Sequence, residues 1–184
     1  MYLLLKILRS ISVSTQTARR IPPFLYLLFC LTGHSVFSAE EELSRVRIST
    51  EFTRQVNLYV QELENLERSF GPYDRSLLEP LDALISLHSS VDDFEEINSL
   101  LGRQLQLVHV TEGPNAFSQL PILESLIRNN LEMKNFESVT NNFENRQYVF
   151  LQNPDSTVEQ KLASMDDLRN WYLTAFNIDT KKKR

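Results

Sequence analysis

Two histidines beyond the N-terminal stretch that holds His34, one cysteine and two acidic runs are the side chains of this 184-residue sequence whose chemistry could go beyond packing. His88 and His109 stand apart from each other, with no HExxH pattern, no paired cysteine and no third ligand between them. A zinc site needs three or four convergent N, S or O ligands, so this pair does not make one. Cys30 lies in an apolar N-terminal stretch, and its loss with that stretch would leave a chain without disulfides, thiol nucleophiles or Cys-based metal sites. The acidic runs "EEE" (40–42) and "DDFEE" (92–96) lack the pairing of catalytic carboxylates. The first reads as a disordered start. The second reads as a helix N-terminus, where acids favour the helix dipole. No D-x-D-x-D-G loop calls for calcium, and "GRQ" (102–104) falls inside a helical pattern rather than a phosphate loop. The sequence therefore offers no catalytic constellation, no cofactor motif and no metal site, and the expectation is a non-enzyme.

Charge narrows the partners. Residues 1–39 carry Lys6, Arg9, Arg19 and Arg20 and no acid, so 15 bases meet all 24 acids in 40–184, a balance of −9. Such a body repels phosphate, and no basic stripe interleaved with aromatics offsets it, so nucleic acid is not an expected partner. The terminal "KKKR" reads as a solvated basic tail, 179–184.

The first 39 residues read as an address. A basic, acid-free segment precedes the apolar "FLYLLFCL" (24–31), which is short of the roughly 20 residues of a membrane span. Val36 and Ser38 suit cleavage before Ala39. The expected location is exported, periplasmic or secreted. An uncleaved anchor, and a transit peptide, are the alternatives; in the first of these the segment would touch the membrane.

The rest of the chain repeats with a period of 42. Phe52, Phe94, Phe136 and Ile178 share a register, as do Tyr59, Leu101 and Phe143, and Leu66, Val108 and Phe150. A second family aligns Leu78, Leu120 and Leu162, then Leu81, Leu123 and Met165, then Leu84, Leu126 and Leu168. Gly71-Pro72 and Gly113-Pro114 share the offset, and "NPDS" (153–156) takes their place slightly out of register. A period of this size signals a solenoid. Within each period the spacing is helical: Leu78, Leu81 and Leu84 with Ile85 on one face, then Phe94, Ile97, Leu101, Leu105 and Val108 on another. Glycine ends one helix and proline stops its continuation. The expected fold is all-α, an antiparallel helix-pair solenoid over 40–178. Helices are expected near 44–69, 76–89, 93–110, 118–132, 135–151 and 157–177: two complete units plus a flanking helix at each end. Trp171, Tyr172 and Phe176 would cap the C-terminal end.

The units resemble tetratricopeptide repeats of the long, kinesin-light-chain-like branch. The resemblance lies in Leu81, Leu84, "DFEEI" (93–97) and Leu101, repeated as Leu123, Leu126, "NFESV" (135–139) and Phe143, and it covers roughly 52–178. Asp92 and Lys134 stand where the family has its turn glycine, and Ile97 and Val139 where it has a small residue. The resemblance implies a protein-binding scaffold whose first helices line a concave groove. Its groove positions here are Glu79, Asp82, Ser86 and Ser89, then Glu124, Arg128 and Leu131, then Asp166, Asn170 and Leu173. The family's Lys/Asn/Arg clamp for a C-terminal carboxylate is not kept, because Asp82 and Ser86 occupy two of its places. A basic or polar segment of a partner protein suits the groove better. Two other readings stay open: a permanent structural subunit of an envelope or membrane-associated assembly, contacting through its ends or convex face, and a small enzyme without a recognisable motif. The incomplete last unit also allows a homodimer by end stacking.

Overall fold

The computed structural model describes the backbone of residues 23–182 and the side chains of residues 46–178. Among the described residues there are six α-helices and no strand. We label them α1 (Pro23–Phe70), α2 (Leu78–Ser89), α3 (Phe94–Glu112), α4 (Gln119–Glu132), α5 (Phe136–Gln152) and α6 (Val158–Lys182). A 3-10 turn, Arg75–Leu77, leads into α2. The chain divides into two units, Met1–Ser49 and Thr50–Arg184. Of the first, residues 23–49 are helical, including the acidic run 40–42 that reads as disordered in the sequence. Glu40–Leu43 are good helix formers with no breaker among them, so the helix starts well before residue 44. Residues 1–22 of the leader, including the basic residues that mark it, lie outside the described residues. Among the described residues no helix is long and apolar enough to cross a membrane. At the other end α6 runs on through 179–182, where the sequence suggests a tail.

In the second unit the 42-residue period returns as matched local geometry. Asp93 and Asn135 are the N-caps of α3 and α5, accepting from the backbone N–H of Glu96 at 3.3 Å and of Ser138 at 3.2 Å. Asp92 and Lys134, one residue earlier, both have φ +55°, a left-handed conformation that ordinarily favours glycine. The turn is thus built alike in both units although its side chains differ. Gly71 and Gly113 close α1 and α3 with φ +92° and +96° and donate N–H to the carbonyls of Glu67 and His109. The third junction is built differently. Asn153 caps α5 in an extended conformation, its buried side chain donates to the Asn115 carbonyl at 2.7 Å, and it accepts from the Asp155 N–H at 2.8 Å. Thr157 and Gln160 then form a reciprocal capping box at the start of α6.

Each helix packs on its neighbour in the chain: α2 on α3, α3 on α4, α4 on α5 and α5 on α6. The backbones of the first helices of successive units, α2, α4 and α6, stand farther from one another than from the second helices between them. Three apolar clusters fill the joints. Leu63, Leu77, Leu81, Leu84, Leu100 and Leu107 form the first. Ile97, Leu101, Leu123, Leu126 and Val149 form the second. Ile127, Val139, Leu168 and Trp171 form the third. Each fully buried side chain of this size contributes about 1.5–3 kcal/mol. Every apolar cluster draws on three or more helices, so the stack is held by side chains shared across joints, the behaviour expected of a solenoid.

The candidate functional site, a cleft between α2 and α4

Because the backbones of α2 and α4 stand apart, part of the face of α3 between them is left as a floor. Two adjoining cavities of about 440 and 380 Å3 occupy this space. Ile85 of α2, Leu101 of α3 and Ser125 of α4 line both, so the two form one continuous cleft. Its floor and walls are largely apolar, with Leu78, Phe94, Ile97, Val108 and Ile122 adding to those residues. Charge is confined to the rim, where Asp82, Glu112 and Glu132 face Arg75 and Arg128. Arg75 is already paired with Glu112 at 3.2 Å. Asp82 accepts from the buried Gln104 amide of the floor at 2.7 Å, and the Arg128 guanidinium donates to the Ser125 hydroxyl at 3.1 Å.

The groove positions implied by the tetratricopeptide pattern distribute unevenly over this surface. Asp82, Ser89, Arg128 and Leu131 line the cleft. Glu79, Ser86, Glu124 and Asp166 are exposed and outside it. Asn170 lies instead in a second cleft with Phe143, Arg146, Asp167, Trp171 and Thr174, one unit further along. Leu173 is exposed and lines neither. Gln104, which ties the floor to the wall, carries no mark in the sequence beyond being a polar residue within an apolar helical stripe.

The second cleft repeats the first in register. Arg146 stands 42 residues after Gln104, and Glu124 stands 42 after Asp82. The floor-to-wall hydrogen bond becomes an ion pair, Arg146 with Glu124 at 3.8 Å, and Arg146 also binds Asp167 of α6. Its guanidinium lies over the Phe143 ring, 5.3 Å from the centroid. Trp171 stacks on Phe143 and donates its indole N–H to the Thr140 hydroxyl at 2.8 Å. Tyr172 donates to Glu144, a bond that holds its phenol proton above the ordinary pKa. The aromatic cap expected from Trp171, Tyr172 and Phe176 is therefore divided: Trp171 is buried against α5, while Tyr172 and Phe176 are exposed. Tyr172 still reaches α5 through its bond to Glu144, and with Phe176 it lines a cavity beside Phe136 and Thr140 of α5.

His88 is a packed side chain. Its Nδ1 is 3.0 Å from the Asp93 carboxylate, and its ring meets Phe52 edge-on at 5.5 Å. His109 is exposed near the end of α3.

No protein-family model matches this chain, and no curated protein matches it. The functional reading therefore rests on the cleft itself. An apolar trough with a charged rim has the chemistry to bury apolar side chains on its floor and to orient charged ones at its edge.

Proposed function

We propose that this protein is a non-catalytic scaffold of the tetratricopeptide type, exported from the cell interior, whose α2–α4 cleft receives a segment of a partner protein. The continuity of the cleft carries the reading: an apolar floor running the length of two adjoining cavities accommodates a peptide or a partner helix. Three carboxylates against two guanidiniums on the rim, one of which is already paired, favour a basic amphipathic segment. The left-handed turns at Asp92 and Lys134 support the family reading, since they reproduce the turn that the family builds with glycine.

Photocrosslinking in cells tests this, with the reactive residue at Arg128 inside the cleft or at Asn141, exposed on α5. The expected result is one partner captured from Arg128 and not from Asn141. Its affinity should fall about tenfold when Asp82 and Glu132 are changed to Asn and Gln, the effect of losing roughly 1.4 kcal/mol of rim attraction. Equal capture from both sites, or an affinity indifferent to the two carboxylates, removes the cleft from the binding surface.

A further inference from the structure

The α2–α4 cleft constrains the backbone form of a segment that lies in it. Its two lobes meet at Leu101. The α3 residues that floor them are Phe94, Ile97 and Leu101 in one, and Leu101, Gln104 and Val108 in the other. The middle residues, Ile97 and Gln104, are seven positions apart, which at ~1.5 Å per residue sets the lobe centres ~10 Å from each other along the floor. The whole floor, from Phe94 to Val108, is ~21 Å long.

An occupant that fills the cleft puts an apolar side chain into each lobe. In an α-helix laid along the floor, residues i and i+7 are ~10 Å apart on one face, and i+3 and i+4 fall between them, over Leu101. In an extended strand ~10 Å is about three residues, and i and i+3 point to opposite sides. The lobe spacing therefore matches two turns of a helix and not the pleat of a strand.

Hydrogen bonding leads the same way. The polar side chains along the cleft are engaged within the fold. Ser89 and Ser125 donate to the carbonyls of Ile85 and Pro121 at 2.7 and 3.0 Å. The Asn129 amide donates to the Phe94 carbonyl at 2.8 Å, and the Gln104 amide to Asp82 at 2.7 Å. Ser118 donates to Glu112, which also holds Arg75. Floor and walls are helices, so their backbone groups are spent on their own internal bonds. An extended chain pressed into this trough would bury N–H and C=O groups with few partners to bond. A helix arrives with those groups satisfied. Charge then sets its flanks. Asp82 stands on the α2 wall beside one lobe, and Glu132 on the α4 wall beside the other. A basic residue on each edge of the apolar stripe, one per lobe, meets a carboxylate.

We propose that the cleft takes its partner as an amphipathic α-helix of about 14 residues, with apolar residues at i, i+3 or i+4, and i+7, and a basic residue on each edge of that stripe. The partner does not bind as an extended chain. This rests on the reading of the cleft as the binding surface.

A display library of random peptides of about 16 residues, selected on the full chain, tests the form of the occupant. Ser125 lines both lobes, so Ser125→Trp blocks the point where they meet. Selected peptides should bind this variant at least about tenfold more weakly, while its circular dichroism stays that of the parent chain. Their sequences should lack internal proline and carry apolar residues three, four and seven apart. Changing two outward-facing residues of a selected peptide to glycine should weaken it about tenfold, and a side-chain bridge across one turn should restore it. Apolar residues at i and i+2, a central proline, or an affinity unmoved by the two glycines overturns the helical form while leaving the cleft as the binding surface. Equal affinity for the parent and Ser125→Trp chains, or no peptide retained, overturns the cleft reading itself and this inference with it.

Discussion

The two clefts of this protein are copies in register that have been finished in opposite ways. Between α2 and α4 the floor carries Gln104, a neutral group that makes one hydrogen bond to the wall and leaves an apolar trough on either side. Between α4 and α6 the same position carries Arg146, held by Glu124 and Asp167 and laid over Phe143 beside Trp171. One cleft presents open apolar surface, and the other spends its polar groups on fastening α6 to the stack. Equivalent backbone therefore does not mean equivalent packing: Gln104 and Asn129 in the first cleft become Arg146 and Trp171 in the second, and an open apolar trough becomes a fastened joint.

The strongest way to break that contrast is at the residues standing 42 apart on the wall helices, Asn129 and Trp171. Trp171→Ala should cost about 3–5 kcal/mol, since it empties the centre of the last joint. Asn129→Ala should cost about 1–3 kcal/mol, the loss of its hydrogen bond to the Phe94 carbonyl. Urea unfolding of both variants measures the gap, and equal losses would mean that the second cleft is no more of a joint than the first. Exchanging the floors sharpens the comparison with a smaller effect. Arg146→Gln should destabilise by about 1–2 kcal/mol, a loss that shrinks as salt is added, because its side chain is only 14% exposed while both partners are half exposed. The reverse change, Gln104→Arg, should destabilise by about 1–2 kcal/mol, because a larger cation enters a buried site where Asp82 alone stands ready to pair with it. The smallest effect tests the sameness of the two units. Asp92→Gly and Lys134→Gly relieve a left-handed side chain at the cost of chain entropy, so each should stabilise by about 0.5 kcal/mol, and by the same amount in both units. A gain at one turn and a loss at the other would show that the repeat is matched in sequence but not in strain.

The fold was legible because burial and periodicity carry the same information. Every core cluster contains residues from the 42-residue register, and α1, α3 and α5 end within a residue or two of the breaks that Gly71, Gly113 and Pro154 announce. Helix extent beyond the repeats was less legible. Nothing between Pro23 and Thr50 stops a helix, and the acidic run at 40–42 is compatible with coil or helix until its neighbours are known. The cleft was legible in outline only. Asp82 and Arg128 follow from the family pattern, but Gln104 and Arg146 do not, because a polar residue on a buried stripe shows its purpose only when the partner across the joint is in view. Two residues of α6 show the reverse case: Leu162 and Met165 fit the core register as well as Leu120 and Leu123 do, yet both are exposed.

The separation of α2 from α4 has a mechanical consequence. With α2 and α4 each packed on α3 more closely than on each other, the width of the cleft is set largely by how far two hairpins rotate about one helix. Tension along the stack would widen the cleft before it broke any joint, and release would narrow it again. The unit is built as a compliant element in series, in which grip and extension are one coordinate.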